Sequence, residues 1–397
     1  MSWKETCVMK ERMRFVIACI DGDEAMSELC LQFGISRKTG YKWLGRYERQ
    51  GPLGLVDRSR APHNCPHSLS VAHREALLAL RHRYPTWGPR KIKAWLALND
   101  PGVDWPAPST IGLVFDRAGL TRVRRRRRRT PPYERPFGAV TQSNDTWCAD
   151  FKGWFRTGDG TRVDPLTMTD AHSRYLIRCE AVSRSNDAHV WPVFVSAFRE
   201  FGRPMWLRTD NGPPFASTAA GGLSRLAVKL IKAGITPERI EPGKPQQNGR
   251  HERMHLTLKQ DTAAPPAADL AGQKRRFEKF RHVYNSERPH EALGQLPPAT
   301  VYEPSLRPYE GLRSPEYTVP AQVRRVRTNG EIKWKGNCIF VSQTLTGEPV
   351  GLQEIDHQTW LVKYGPLTLG TIKGKAGLRK IGSGASSRPR PYNKKGT

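Results

Sequence analysis

The 397-residue sequence contains no apolar run of about 18 residues, the length that a membrane-spanning helix requires. It also has no amphipathic membrane anchor. Its first residues lack the charged and then apolar pattern of a signal peptide. These absences predict a cytoplasmic protein with no membrane partner.

Cysteines are few and scattered. The seven are odd in number and form no CxxC pair, which indicates reduced thiols rather than a disulfide framework. One cluster, His63, Cys65 and His67 followed by His73, is compatible with zinc. Structural zinc sites usually have tighter, repeated ligand spacings, so a polar linker leading into a helix is the alternative.

Acidic residues are also in short supply. The chain has 37 Asp and Glu against 65 Lys and Arg, a net charge of +28. That excess is far more than solubility needs and predicts a polyanionic partner, for which nucleic acid fits best. The length leaves room for roughly two to four domains.

Two segments in the middle of the chain place acidic side chains at a predicted strand end and on a predicted helix. An apolar run ends in Asp210-Asn211-Gly212, which predicts a buried strand that breaks into a turn with a carboxylate at its tip. Residues 250–262 follow a Pro/Gly-rich loop and contain neither residue, which predicts a helix. On that helix Glu252, His255 and Lys259 would share one face, being spaced i, i+3 and i+7.

A third carboxylate, Asp150, lies in the aromatic-rich run 147–155, which suits a strand. Asp150, Asp210 and Glu252 are therefore expected to converge from two strand ends and a helix. Such hard oxygen ligands suit magnesium, and two ions roughly 3.5–4 Å apart would support an in-line phosphoryl transfer. Asp170 also follows an apolar strand and is the rival ligand.

These residues resemble the transposases of bacterial insertion sequences that share a ribonuclease-H-like catalytic core with retroviral integrases. The matching pieces cover residues 147–302 in the order typical of the family: Trp147 and Asp150, residues 170–175, Asp210-Asn211-Gly212, Asn248-Gly249 before Glu252, Lys259, residues 284–294 and Pro297. The nearest sub-group is insertion-sequence family 481. As a departure, 41 residues separate Asp210 from Glu252, and residues 219–223 are predicted as a surface loop that absorbs the extra length.

The resemblance implies an enzyme that holds two Mg²⁺ or Mn²⁺ ions on Asp150, Asp210 and Glu252, with Asp170 in a structural turn. Its partners would be double-stranded DNA, namely the inverted repeats of its own element and the target, and further copies of the chain, at least a dimer. No small-molecule substrate is implied, and the protein would work on the bacterial nucleoid. His255 and Lys259 would touch the DNA substrate, or else form only a polar helix face. The alternatives are a DNA-binding regulator with an inert core and a ribonuclease-H-like nuclease without strand transfer.

The first 60 residues have helical periodicity, a break before Ser36, and then a basic helix. Ser36 is a plausible N-cap, and the pattern predicts a helix-turn-helix whose second helix enters a major groove. An ordinary helical hairpin with a solvated basic face is the alternative. The candidate DNA-facing residues are Ser36, Arg37, Lys38, Thr39 and Lys42.

A second helical unit over residues 66–121 has Pro89 in a predicted first helical turn and Ser109 as a predicted N-cap. It resembles a second helix-turn-helix, and Ser109 and Thr110 begin the predicted DNA-reading helix. An extreme charge run then predicts an extended arm that neutralises DNA phosphates, or else a merely solvated linker. Its DNA-binding candidates are Arg124, Arg125, Arg126, Arg127, Arg128 and Arg129.

The fold class predicted is therefore multidomain: all-α helix-turn-helix domains, a central α/β ribonuclease-H-like integrase core, and a small all-β barrel, SH3-like by the resemblance. The predicted boundaries are 1–60 and 66–121 for the two helix-turn-helix domains, 122–143 for the Arg-rich linker, 144–305 for the core, 312–380 for the barrel and 381–397 for a disordered basic tail.

Overall fold

Three helices form the N-terminal part of the chain. The computed structural model describes residues 7–58, 69–121, 140–240, 249–318, 320–374 and 376–380. The chain divides into two compact units, Met1–Leu69 and Ser70–Thr397. The helices of the first unit are α1 (Val8–Asp21), α2 (Met26–Gln32) and α3 (Arg37–Gln50).

Ser36 caps α3, as predicted, because its hydroxyl accepts the backbone N–H of Thr39 at 3.2 Å. The helix packs closely on its neighbours at Gly40, where a Cβ would lie 2.7 Å from the Cys30 sulfur and 2.9 Å from the Phe15 ring. The glycine therefore allows the close approach of α1, α2 and α3.

The second unit begins with three more helices: α4 (Val71–Arg83), α5 (Pro89–Asn99) and α6 (Pro108–Arg117). Pro89 starts α5, as predicted. The prediction for Ser109 was wrong, because Ala107 occupies the N-cap and Pro108 the first helical position. Proline fixes its own φ near the helical value and lacks the N–H that an N-cap would satisfy, so the N-cap lies two residues earlier than predicted.

A mixed sheet forms the centre of the second unit, in the order β4-β3-β1-β5-β6 with β2 paired to β3. Strands β1, β3 and β4 are antiparallel neighbours, whereas β5 runs parallel to β1 and β6 parallel to β5. The strands are β1 (Thr146–Phe151), β2 (Phe155–Arg156), β3 (Arg162–Asp170), β4 (Leu176–Val182), β5 (Trp206–Thr209) and β6 (Thr236–Arg239).

Sequence patterns predicted a single parallel strand here and missed β6. Its sequence contains a proline and two charged residues, which argues against a strand. Tertiary contacts override that preference: Glu238 is buried and forms a 3.0 Å ion pair with Arg208 directly opposite on β5. An edge strand also tolerates proline, because one side of its backbone needs no partner.

Helices cover both faces of this sheet, with a separate apolar core on each side. On one face α7 (Asp187–Phe201) and α8 (Arg225–Lys232) pack on the buried side chains of β1 and β3. On the other face lie α9 (Gly249–Thr262) and α10 (Leu270–His282), followed by a π-helical turn, Val283–Glu287. This is the predicted α/β arrangement of a sheet between helices.

The C-terminal region is all-β. It consists of a five-stranded sheet in the order β13-β12-β11-β10-β7 and a hairpin of β8 and β9. Two strands beyond the five predicted, β12 and β13, extend the larger sheet. The bounds are β7 (Gln322–Arg325), β8 (Glu331–Trp334), β9 (Asn337–Phe340), β10 (Pro349–Asp356), β11 (Thr359–Tyr364), β12 (Leu367–Lys373) and β13 (Arg379–Lys380).

The segment predicted as a surface loop, residues 219–223, is instead a short 3₁₀ turn, Ala220–Gly222, between β5 and α8. Ala220 and Leu223 are almost fully buried in the apolar core of the C-terminal sheet. The extra residues therefore provide packing surface for that sheet, which the sequence alone did not reveal.

Several predicted features lie outside the described residues: the His63, Cys65 and His67 cluster, the whole arginine run from Arg124 to Arg129, the loop before α9, and the basic tail. None of the helices in the described ranges is long and apolar enough to cross a membrane.

Candidate active site

Asp150 and Asp210 lie at the same height, Asp150 near the end of β1 and Asp210 directly after the parallel strand β5. Ala149 on β1 pairs with Thr209 on β5, and each aspartate is the next residue along the chain. Neighbouring strands lie about 4.8 Å apart, so the register brings the two carboxylates to one edge of the sheet. The convergence of Asp150, Asp210 and Glu252 on metal ions stays a prediction.

The turn after β5 fixes Asp210. The Gly212 amide donates to its carboxylate at 3.2 Å, and the Asn211 side chain donates to the backbone oxygen of Ile240 at 3.0 Å, beyond β6. Burial raises the pKa of Asp210 above its usual value, and the Gly212 hydrogen bond opposes that rise. A half-buried carboxylate of this kind is stabilised by a nearby cation.

Helix α9 presents histidines to Asp150. His251 and His255, one helical turn apart, are only 3% and 4% exposed, and their rings meet edge to face at 4.7 Å. The Nδ1 atom of His255 lies 3.9 Å from a carboxylate oxygen of Asp150. The sequence pointed to His255 as a substrate contact and missed His251, although an i, i+4 histidine pair was a visible signal.

Thr167, opposite Asp150 on β3, connects the two rings. Its hydroxyl oxygen lies 2.6 Å from Nε2 of His251, 2.7 Å from Nε2 of His255 and 3.2 Å from the backbone oxygen of Asp150. Thr169 adds a contact of 3.2 Å between its hydroxyl and Nδ1 of His251. One hydroxyl thus serves three groups.

Proton counting limits the assignments open to this network, since a hydroxyl has a single proton to donate. Burial lowers the pKa of His251 to about 3 and that of His255 to about 2, with the neighbouring His251 ring and Lys152 contributing for His255, so both rings are neutral near pH 7. The Thr167 proton can go to the backbone oxygen of Asp150 or to one of the rings, and a ring nitrogen that does not receive it donates to the Thr167 oxygen.

Glu252 and Lys259 lie on the exposed side of α9. The helix buries His251, Met254, His255 and Leu258, and Glu252 is about 60° around the helix from His255. The three residues predicted to share one face of the helix therefore do not share one environment. His255 is buried against the sheet, whereas Glu252 and Lys259 are exposed. Within the described ranges, the group of potential metal ligands lying within 4.8 Å of one another is Asp150, His251 and His255, without Asp210 or Glu252.

Asp170 has a structural role. Its carboxylate accepts the backbone N–H of Asn144 at 2.8 Å and both the N–H and the hydroxyl of Ser173 at 2.7 Å. The side chain is fully buried. It therefore holds the turn after β3 and has its oxygens occupied, which agrees with the turn that the family resemblance implied.

The DNA-reading candidates lie on helix surfaces. Arg37, Lys38 and Lys42 are exposed on α3, and Thr39 is half-buried, with its hydroxyl 3.0 Å from that of Ser36. Ser109 and Thr110 are exposed in the first turn of α6.

Comparison with known domain families identifies the central sheet. Residues 140–245 and residues 233–298 each match a family described as integrase core domain. This chain carries an integrase core. Ahead of the integrase core, residues 11–63 match a helix-turn-helix domain and residues 39–115 a homeodomain-like domain. The fold is thus helix-turn-helix domains followed by a ribonuclease-H-like integrase core.

The integrase core also has relatives among insertion-element proteins. The chain is 29% identical over 241 residues to the insertion element IS476 uncharacterized 39.2 kDa protein of Xanthomonas euvesicatoria, covering 60% of this chain and 66%, just under two thirds, of that protein. It is 28% identical over 225 residues to the insertion element IS407 uncharacterized 31.7 kDa protein of Burkholderia multivorans, covering 56% of this chain and 78% of that protein.

Among solved structures, the chain is similar to a simian T-cell lymphotropic virus intasome in complex with the PP2A regulatory subunit B56 gamma. The sequence identity is 15% and the TM-score 0.37, over 75% of this chain and 98% of that one.

Proposed function

We propose that this protein is a transposase that cuts the ends of its own insertion sequence and joins them to target DNA. The observation that carries the proposal is the in-register placement of Asp150 and Asp210 at the ends of neighbouring parallel strands of an integrase core. The helix-turn-helix matches and the +28 charge support DNA as the substrate.

The reaction is phosphoryl transfer in two steps. Water attacks a phosphodiester at each element end, the P–O3′ bond breaks, and a 3′ hydroxyl is released. That hydroxyl then attacks a target phosphodiester and forms the new P–O bond while a target 3′ hydroxyl leaves. Both steps replace one oxygen on phosphorus by another, so one site can perform both.

Asp150, Asp210 and Glu252 are the proposed ligands of two Mg²⁺ or Mn²⁺ ions, with Glu252 contributing from the exposed flank of α9. Such ions, when bound, activate the attacking oxygen and stabilise the leaving one. Carboxylate oxygens are the ligands that such ions prefer, and the edge of the sheet provides them. The histidine pair supports this arrangement from behind, because Thr167 contacts both rings and the backbone oxygen of Asp150, and His255 lies 3.9 Å from the Asp150 carboxylate.

The remaining parts of the chain have proposed roles around this site. The two helix-turn-helix segments would read the element ends, and Lys259 would touch the DNA strand beside the cut. The C-terminal sheets would form an SH3-like barrel, and the protein would belong to insertion-sequence family 481. Because two element ends must be cut together, the active form would be at least a dimer.

The test is a cleavage and joining assay on the full-length protein with magnesium and a labelled duplex copied from the inverted repeats that flank the gene. Cutting and joining supports the transposase, cutting alone a nuclease, and binding alone a regulator. Asp210→Asn should keep end binding and lose cutting. The matched control is Asp159→Asn, which changes an exposed carboxylate in a surface turn of the same domain and should leave cutting intact.

Near-wild-type cutting by Asp210→Asn would reject the site assignment. Binding should also weaken steeply with added salt, since each neutralised phosphate contributes about 0.9 to the slope of log affinity against log salt. A flat salt response would refute the electrostatic part of the proposal.

A further inference from the structure

A cavity of about 380 Å³ adjoins the candidate active site. It lies where α5, α9 and residues 284–292 meet the ends of β1 and β3. His251, the same ring that contacts Thr167, forms part of its wall, as does Thr169. The cavity therefore borders the Asp150 network without including Asp150 itself.

Four basic side chains line this cavity: Lys91, Arg174, Arg253 and Arg288. Two carboxylates, Asp170 and Glu291, also reach it, and both have other partners. Asp170 accepts the three hydrogen bonds described above, and Glu291 forms a 3.3 Å ion pair with Arg90 on the exposed rim. Among the described residues, no carboxylate lies within 4.0 Å of the guanidinium groups of the three lining arginines, although Asp170 acts on Arg174 and Asp261 on Arg288 at longer range.

Burial makes this shortage of negative charge expensive. The Nε atom of Arg174, an N–H donor, is buried and has no hydrogen-bond partner among the described residues. Burial also lowers the pKa of Arg174 and Arg288 below the usual value and that of Lys91 to about 8. Half-buried cations and unpaired donors are stabilised by an anion that accepts hydrogen bonds from several sides.

We propose that this cavity binds one phosphate group of the DNA strand next to the cleavage site. Arginine forks match the tetrahedral, multiply accepting oxygens of a phosphate. The inference rests on the proposed function for the identity of the ligand, because that function brings DNA to the Asp150 network, which shares His251 with this cavity. Lys91 extends the site to the second helical unit, since its ammonium donates to the backbone oxygen of Pro289.

The test measures DNA binding in EDTA, so its readout does not depend on cutting. The probe is the labelled element-end duplex, titrated with the full-length protein at several salt concentrations. Arg288→Gln and Arg253→Gln should each lower affinity on the order of tenfold and reduce the salt slope by about 1. Arg253 is exposed, so Arg253→Gln should fold normally. It therefore tests the proposal even if Arg288→Gln lowers the melting temperature.

The matched control is Arg281→Gln. Arg281 is similarly half-buried on the neighbouring helix, yet its guanidinium is already paired with Glu278 at 2.7 Å, so its loss should leave the salt slope unchanged. Replacing the phosphates of the duplex one at a time by neutral methylphosphonates should also reveal a position at which Arg288→Gln no longer weakens binding. Such non-additivity would place that phosphate against Arg288.

Unchanged salt slopes in both cavity variants would overturn the phosphate-binding proposal. If the wild type still cuts and joins element ends, the proposed transposase function would stand. Inorganic phosphate supplies the second arm. If it raises the melting temperature of the wild type but not of the two variants, while their DNA slopes stay unchanged, the cavity binds a free anion and the DNA assignment is rejected. A wild type that fails to bind any duplex would overturn the proposed function as well.

Discussion

The hydroxyl of Thr167 offers the sharpest test of the network around Asp150. Thr167→Val removes one oxygen and leaves the shape of the side chain nearly unchanged. The replaced oxygen contacts Nε2 of His251, Nε2 of His255 and the backbone oxygen of Asp150 at 2.6, 2.7 and 3.2 Å. The variant therefore leaves two ring nitrogens in a dry site without a partner.

The expected loss of stability follows from those contacts. A buried polar atom without a hydrogen bond costs about 1–3 kcal/mol, so two of them should destabilise the β3–α9 interface by about 4 kcal/mol. Thr169→Val is the matched control, because it removes a single contact of 3.2 Å to His251 and should cost about 1 kcal/mol. Thr167→Ser keeps the hydroxyl and should lose only about 1 kcal/mol for the missing methyl group.

Native-state hydrogen exchange on the full-length protein provides the assay. Amides of β3 and α9 should lose protection together in Thr167→Val, while those of the C-terminal sheet should change little. Equal effects of Thr167→Val and Thr169→Val would refute the central role of this hydroxyl. A Thr167→Ser variant as unstable as Thr167→Val would refute it too.

Three further predictions concern other parts of the molecule. Gly40→Ala should destabilise the N-terminal helices by about 1–3 kcal/mol, because its Cβ would meet α1 and α2 at 2.7–2.9 Å; Gly45→Ala, with 3.9 Å of space, should be neutral or stabilising in the same thermal melt. Burial lowers the pKa of His290 to about 3 in the folded protein, so below about pH 6.5 only the unfolded chain gains that proton. His290 should therefore contribute about 1 kcal/mol to the fall in stability as the pH falls from about 7.5 to 5.5, beside the contributions of His251 and His255, and denaturant titrations should find a smaller fall in His290→Asn. Glu238→Gln should cost about 3 kcal/mol by removing the 3.0 Å partner of the buried Arg208 charge, and joint replacement by Leu and Met should restore most of it in the same titration.

Each of these has a contradicting result. A Gly40→Ala variant as stable as Gly45→Ala would mean that the helices separate without loss. An identical pH dependence in His290→Asn would mean that His290 is not held neutral by burial. Unchanged stability of Glu238→Gln would mean that the ion pair contributes nothing to the β5–β6 contact.

The predicted site was partly visible in the sequence. Asp150 lies in an aromatic-rich run typical of a strand, and Asp210 ends an apolar run at a turn, so the strand position of each followed from local chemistry. The histidine pair and Thr167 did not. Their importance comes from the packing of α9 across β1 and β3, which joins residues 84 and 88 positions apart.

The helices and most strands were predictable because hydrophobic periodicity and capping act over a few residues. Ser36 and Pro89 show this, since each begins a helix through its own local chemistry, Ser36 by its capping hydroxyl and Pro89 by its fixed φ. The sequence also determined the charge that makes a polyanion the natural partner.

Only the tertiary structure decided which side of α9 faces the sheet, whether residues 219–223 were loop or core, and that four cations share one cavity. These outcomes depend on contacts between distant segments, and their burial and desolvation energies outweigh local preference. The strand β6 is the clearest case. Its own residues disfavour a strand. The segment forms one because β5 lies beside it and provides Arg208 as the buried partner of Glu238.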